Sequence, residues 1–349
     1  MGSQCSCIGS SEGLITLDKN EIISVEEKLK LNEDQGKIRE TCQSPDFQIS
    51  NQNTHTTYSQ LTLEDVPTPR NQDEISVEKV IQTLKDQGII AIMNDKVKAT
   101  EKCLGAYKFL PQDGYGSMLN EPEILPNKCI YIGQKDQDGR KNGRGVFLWG
   151  DGSRYVGYWK NDRANGLGRL IHADGDVYEG EWNNDKAQGQ GKYTHYNGAI
   201  YEGGWNNDQQ EGEGVEIWPD GAKYIGSYKA GQKHDKGKFY WSDGSVYKGD
   251  FNENRIEGQG LYIWKDGKKF EGSWKNNKME GEGVFEWPDG RIYRGEYIND
   301  KKEGYGEYYW PNGKSYKGMW KNGKQEGWGV FSDKNGGVKQ GEWRMGKKL

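Results

Sequence analysis

The stretch Tyr201-Glu202-Gly203-Gly204-Trp205, followed by Asn206 to Glu211, Gly212-Glu213-Gly214, Val215 to Trp218 and Pro219-Asp220-Gly221, decides the fold because it recurs. The next unit opens at Tyr224, 23 residues later. Openers fall at Tyr131, Tyr155, Tyr178, Tyr201, Tyr224, Tyr247, Phe270, Tyr293 and Tyr316, and every step is 23 residues except the first, which is 24. Self-similarity at a fixed period of this length marks a stacked-repeat architecture.

Each unit closes on a turn signal: Asp151-Gly152, Asp174-Gly175, Asn197-Gly198, Asp220-Gly221, Asp243-Gly244, Asp266-Gly267, Asp289-Gly290 and Asn312-Gly313. These dipeptides tolerate positive φ and suit tight turns between antiparallel strands. The flanking runs are short, aromatic and β-branched, as strands are. Side chains alternate along a strand, so Tyr201, Gly203 and Trp205 share one pleat face. On the second strand Gly212, Gly214, Glu216 and Trp218 share a face too, and the Glu216 position is elsewhere Leu170, Tyr193, Phe239, Tyr262, Phe285, Tyr308 or Phe331. The glycines therefore lie beside rings and leave room for them. The opposite face carries Glu179, Glu181, Lys248, Asp250, Arg294 and Glu296, which read as solvated.

A single hairpin is marginal alone, but stacking buries each ring row against the next. The expected fold is an all-β repeat array: stacked antiparallel β-hairpins in an elongated, twisted single-layer sheet over residues 131–349, nine repeats plus a half repeat. Two strands per unit at ~4.8 Å give ~10 Å per repeat and an arm of roughly 90 Å.

The pattern Tyr-Glu-Gly-x-Trp, six residues, Gly-x-Gly, then Asp-Gly resembles the MORN (membrane occupation and recognition nexus) repeat, in phase throughout 131–349. The departures are Asp235 for the first glycine before Gly237, Lys135 for the ring after Tyr131, and Lys339 for the last opener before Gly341 and Trp343. Terminal units of a solenoid depart from consensus because they cap it. The resemblance implies work at membrane–cytoskeleton junctions, in a cortical or ciliary setting. Some MORN proteins add a catalytic domain, such as a lipid kinase or a lysine methyltransferase, but residues 1–130 are too short and polar for either.

Composition divides the chain in two. All 13 Trp lie at or after Trp149. Residues 1–130 hold 20 acidic and 13 basic side chains, against 33 and 35 in residues 131–349. Neither part has the positive balance of a nucleic-acid binder. With no apolar run of membrane-spanning length and no signal-peptide core, the expected place is the cytosolic side of a membrane. Cys5, Cys7, Cys42, Cys103 and Cys129 lack zinc-ligand spacing.

Met1-Gly2-Ser3-Gln4-Cys5-Ser6 fits the N-myristoylation pattern, with Gly2 as acceptor. One such chain binds membranes marginally, so stable attachment needs a second signal, which palmitoylation of Cys5 and Cys7 would supply. Residues 8–72 read as a polar, flexible tether, with a short capped helix from Ser24 to about Lys30 and loop-type Ser44-Pro45 and Thr68-Pro69. Residues 73–105 change character: Ile75, Val77, Val80, Ile81, Leu84, Ile89, Ile92, Met93 and Val97 recur at helical spacing and Gly105 offers a stop. This helical segment is expected to cap the open first hairpin, the alternative being a partner-binding helix. Residues 106–130, with Pro111, Pro122 and Pro126, form an irregular connector.

No nucleophile–base constellation emerges. His172 and His195 stand in the column otherwise held by Trp149, Trp218, Trp241, Trp264, Trp287 and Trp310, and read as flat rings in place of Trp rather than metal ligands. His55 lies in the tether, and His234 in a loop. Acid pairs such as Glu211/Glu213 and Glu280/Glu282 recur in equivalent loops and read as solvated rims. The expectation is a non-enzymatic, lipid-anchored scaffold with neither cofactor nor metal. Its contact surface is expected on the aromatic face: Tyr178, Trp182, Tyr201, Trp205, Trp218, Tyr224, Trp241, Tyr247, Trp264, Trp274, Trp287, Tyr293, Trp310, Tyr316 and Trp320. That face suits a partner helix in its groove, a second copy of the chain, or lipid. Two rivals stand beside this: direct recognition of anionic phospholipids, supported by the basic run Lys339, Arg344, Lys347 and Lys348, and an accessory subunit that controls a separate enzyme.

Overall fold

The computed structural model describes residues 95–110, 122–125 and 128–349. The acylation motif, the tether and the part of the helical segment before Asp95 lie outside them. Among the described residues are one helix, α1 (Asp95–Leu104), and 21 strands in a single open antiparallel sheet. Each strand pairs with its neighbours in sequence, from β1 (Glu123–Ile124) to β21 (Lys347–Lys348), as stacked hairpins require.

The unit opening at Tyr201 shows how the sequence builds a hairpin. Strands β8 (Ile200–Asn206) and β9 (Gln209–Ile217) are joined by Asn207-Asp208, at φ 49° and 67°. Two positive φ values define a type I′ turn, whose twist matches that of the strands. The Asp-Gly turns sit between units instead. Gly221 takes a φ of 85° and donates to the Trp218 carbonyl, while the Asp220 carboxylate accepts from the Ala222 N–H at 3.0 Å. Here only the glycine needs positive φ; the Asp works through its side chain.

A bulge sets the rest. Gly203 pairs with Gly214 and Trp205 with Gln210, so Gly204 faces Glu211, Gly212 and Glu213 together. Gly212 turns the bulge at a φ of 73°. Asp235 occupies this position one unit on at a φ of 53°, a conformation Asp visits more readily than most side chains, which explains how the departure is tolerated. The Tyr201 hydroxyl crosses the bulge and donates to the Gly204 carbonyl at 2.9 Å. Tyr131, Tyr155, Tyr178, Tyr224, Tyr247, Tyr293 and Tyr316 each do the same three residues on. Phe270 lacks the hydroxyl.

To lie this close, the opener needs bare backbone beneath it. A Cβ on Gly214 would stand 2.6 Å from Tyr201 ring atoms, and one on Gly203 would stand 2.6 Å from the Gly214 Cα. Glycine faces glycine across every strand from Gly133 to Gly341, a continuous row under the rings. The openers are 0–3 % exposed and form the core.

Successive units are also clasped at the type I′ turns. The Asp208 N–H donates to the Ala187 carbonyl, and the Ala187 N–H donates to the Asp208 carboxylate at 2.7 Å. Asp185 does this to Ala164, Asn254 to Lys233, Asn277 to Ile256 and Asp300 to Met279. Glu211, Glu257, Glu280, Glu303 and Glu326 reach the next unit's turn and accept a backbone N–H at 2.8–2.9 Å. Glu211 and Glu280, expected to be solvated rim residues, are therefore inter-repeat caps.

The first unit takes its extra residue into a longer loop, Asp136 to Arg140, where the Asp136 carboxylate accepts from the Asp138 and Arg140 N–H groups. The first hairpin's edge is paired by β1. Of the segment expected to cap the first hairpin, the described part, α1, lies on the sheet face opposite the openers. Val97 is fully buried against Ile171 and Val177, and Glu101 is ion-paired with the buried Arg154. Tyr107 and Phe109 then cover Ile130, Ile132, Val146, Leu148 and Val156. In these units that face sets Arg144, Arg154 and Arg169 among apolar side chains, and the apolar area is what draws a cover.

Two predictions follow from the ring–glycine contact. Gly260→Ala places a Cβ 2.5 Å from the Tyr247 ring, and should cost about 2–4 kcal/mol; Gly244→Ala, with open space around it at a φ of 93°, should cost about 1–2 kcal/mol, from backbone strain alone. Thermal melts and amide exchange in the flanking strands would report both. Phe270→Tyr should gain about 0.5–1.5 kcal/mol by bonding the Ser273 carbonyl, and Tyr247→Phe should lose about as much.

Candidate functional site

The openers and the aromatics four residues on interlock edge to face. Tyr201 meets Trp205 of its own unit at 5.3 Å and Tyr228 of the next at 5.0 Å. The same pairing repeats at Tyr224 with Tyr228 and Phe251, and at Tyr316 with Trp320 and Trp343. Such contacts are favourable because a positive ring edge meets a negative face. Trp182, Trp205, Trp274 and Trp320 each donate their indole N–H to a glycine carbonyl of the preceding unit.

Above this buried layer runs a second line of rings. It passes through Trp218, Phe239, Trp241, Tyr262, Trp264, Phe285, Trp287, Tyr308, Trp310 and Phe331, with centroid steps of 4.4–6.1 Å. All but Tyr308 are half-buried. Of the fifteen expected contact residues, nine are buried: Tyr178, Trp182, Tyr201, Tyr224, Tyr247, Trp274, Tyr293, Tyr316 and Trp320. These are the layer on which a contact surface rests. Trp205, Trp218, Trp241, Trp264, Trp287 and Trp310 are half-buried, and the last five lie in the outer line. Phe239, Tyr262, Phe285, Tyr308 and Phe331 complete it; their column was visible in the sequence, but their exposure depends on how the inner rings fill the space below.

Three lysines enter the ring layer from one repeat position. Lys141 lies over Tyr131, Phe147 and Trp159. Lys233 lies over Trp218, Tyr224 and Tyr228 and pairs with Glu216 at 2.7 Å. Lys302 sits 4.7–4.9 Å from the ring centres of Trp287, Tyr293, Tyr308 and Trp320, and here Phe285 stands three units on from Glu216. Arg291 lies over Trp287 at 5.3 Å and donates to the Tyr308 hydroxyl at 3.4 Å. Burial first, and the Arg291 charge second, push the Lys302 ammonium down to about 8.

At the other end the ladder changes chemistry. His195 Nδ1 is 2.8 Å from an Asp176 carboxylate oxygen that also accepts from the Tyr193 hydroxyl at 3.0 Å. Burial works to raise the Asp176 carboxyl, but bonds from the Tyr196 N–H, Tyr193 and His195 hold it below its usual range. His195 is thus more than a flat stand-in for Trp: it came with its own carboxylate. His172 lies 6.2 Å from the Tyr193 ring and tilted to it. Among the described residues no group of three His, Cys, Asp or Glu is placed to hold a metal.

Nine consecutive matches to the MORN repeat model cover 131–154, 155–177, 178–200, 201–223, 224–246, 247–269, 270–290, 293–315 and 316–338. The chain belongs to the MORN repeat family. Among curated proteins no relative matches it. Solved structures to which the chain is similar include the TCP10 domain of Danio rerio CPAP in complex with a STIL peptide, at 16% identity over 64% of this chain and 98% of that one, TM-score 0.25. The SAS-4 TCP domain of Drosophila melanogaster, in complex with a proline-rich motif of Ana2, matches at 12% identity over 46% and 84%, TM-score 0.28. A streptogramin B lyase matches at 11% over 64% and 82%, TM-score 0.15. At these scores the likenesses carry no argument about function. As a MORN array the chain is a repeat-based binding module, of a fold that is typically non-catalytic.

Lys302 supplies a test of the ring layer. Its depressed pKa means that the charged form costs stability below about pH 8, and the ring faces offset part of that cost. Between about 8 and the ordinary 10.5 the folded state sheds its proton first, so stability rises with pH. Lys302→Met should therefore stabilise the array by about 1–2 kcal/mol at pH 7. Denaturation across pH 7–10.5 should show that gain shrinking toward zero.

Proposed function

We propose that this MORN protein is a non-enzymatic scaffold. Fatty chains on Gly2, Cys5 and Cys7 hold it at the cytosolic face of a membrane, and the repeat array presents its outer ring ladder to protein partners. The observation that carries this reading is the ladder from Trp218 to Phe331, a continuous aromatic line, half-buried except at Tyr308, on a single sheet. Aromatic rings anchored from below make strong contacts at little entropic cost, because their rotamers are already fixed. The attachment is supported by the Met1-Gly2 to Ser6 pattern with two adjoining cysteines. The setting at a cell cortex or cilium follows from family likeness.

A second reading, recognition of anionic lipid by the array itself, is favoured by Lys339, Arg344, Lys347 and Lys348, all exposed on the last strands.

Gly2→Ala should move the protein from the membrane pellet to the soluble fraction in cells, and unchanged fractionation would overturn the lipid anchor. Purified Gly2→Ala protein separates the two readings on phosphatidylserine vesicles: salt-sensitive binding that Lys347→Glu with Lys348→Glu abolishes would favour the lipid reading.

A further inference from the structure

We infer that the outer ring ladder takes a proline-rich segment in the polyproline II conformation, with an acidic residue seated over Arg291 and Lys302. This rests on the ladder being the partner surface and specifies what that partner is.

The spacing comes first. Between neighbouring Trp of the ladder stands one ring, and the two steps are 5.4 and 4.6 Å, 4.9 and 4.5 Å, 5.3 and 4.4 Å, and 5.6 and 4.5 Å. Trp218, Trp241, Trp264, Trp287 and Trp310 therefore follow one another within about 10 Å, in keeping with the ~9.6 Å that two strand spacings set. A polyproline II helix returns to the same face every three residues, a rise of about 9.3 Å. Over four intervals it drifts from the Trp by only about 1 Å. An α-helix returns to one face about every 10.5 Å per heptad and drifts by about 4 Å, roughly two-thirds of a turn. An extended strand covers the distance in three residues but then presents the wrong face, since its side chains alternate. Aromatic grooves hold polyproline II well because its backbone is already ordered and its rings are flat.

Charge orients it. Toward the amino-terminal end the ring face holds its acids in pairs, Asp176 with His195 and Glu216 with Lys233. Near the carboxy-terminal end stand Arg291 and Lys302. The chain shows within itself what such a caged ammonium accepts: at the equivalent position Lys233 holds the Glu216 carboxylate at 2.7 Å, with the Tyr228 hydroxyl donating to the same oxygen at 2.9 Å. Around Lys302 no carboxylate of the described residues lies within ion-pairing distance, and the residue three units on from Glu216 is Phe285. A partner's Asp or Glu supplies the charge that Lys302 lacks, and Arg291, already held by Asp289 at 2.7 Å, stands beside it.

The test uses the full chain and a synthetic peptide of about 15 residues, mostly proline, with two glutamates near one end. Its binding is read by Trp fluorescence and calorimetry. Controls are the same peptide with lysines for the glutamates, an amphipathic helical peptide of equal negative charge, and phosphatidylserine vesicles. The acidic proline peptide should bind, and the lysine form should bind at least tenfold more weakly. Arg291→Glu should reverse that preference, and Trp264→Ala should weaken both peptides tenfold or more. Should Trp264→Ala fail to fold by circular dichroism, the charge reversal at Arg291, on the surface, decides alone. No saturable binding of the proline peptide, or no reversal, overturns the inference. Tighter, Trp264-dependent binding of the helical peptide overturns it while leaving the ladder as a protein surface. Vesicle binding with no peptide binding removes both.

Discussion

A phenol ring laid flat on two glycines is the contact from which the rest of this array is built. The ring can be buried only because neither glycine has a Cβ, and its hydroxyl can be buried only because a bulge leaves a carbonyl in reach. Apolar area, polar satisfaction and backbone shape are thus solved together at one place. Each opener in turn orients the aromatic of its own unit and of the next, so a local arrangement becomes an unbroken core.

Much of this was legible in the sequence, because a 23-residue period with rings and glycines in fixed phase leaves few other ways to bury them. The strands, the ring column and the turn at Asp220-Gly221 could all be read directly. What escaped notice were features that depend on a neighbouring unit. Asn207-Asp208 forms a turn of its own, hidden inside a polar spacer, and Asp208 serves the backbone 21 residues back. Glu211 looked like a solvated acid because its partner, the Ala230 N–H, belongs to the next hairpin. The exposed line of the candidate site was only half visible. Alternation places Trp205 and Trp218 on one face, but only packing shows that the first joins the buried layer and the second the surface above it.

The two ends of the sheet are made differently. Early units have apolar residues such as Val146, Val156 and Ile171 behind the sheet, covered by residues 95–110. Later units carry pairs such as Lys317 with Glu307 there, and need no cover. The ring face shifts too, from the hydrogen-bonded group of Asp176, Tyr193 and His195 to uninterrupted aromatics after Trp218. One repeat motif thus carries surfaces of distinct chemistry along its length without any change of backbone.

The direction of the clasps has a mechanical corollary. Ladder bonds run perpendicular to the strands, and the bond pair between Asp208 and Ala187 likewise spans from one unit to its neighbour. Force applied between the first and last units therefore stretches these links one behind another instead of sharing the load among them side by side. Such a sheet yields by peeling, unit by unit from whichever end is weaker, and its resistance is set by a single junction and not by the number of repeats.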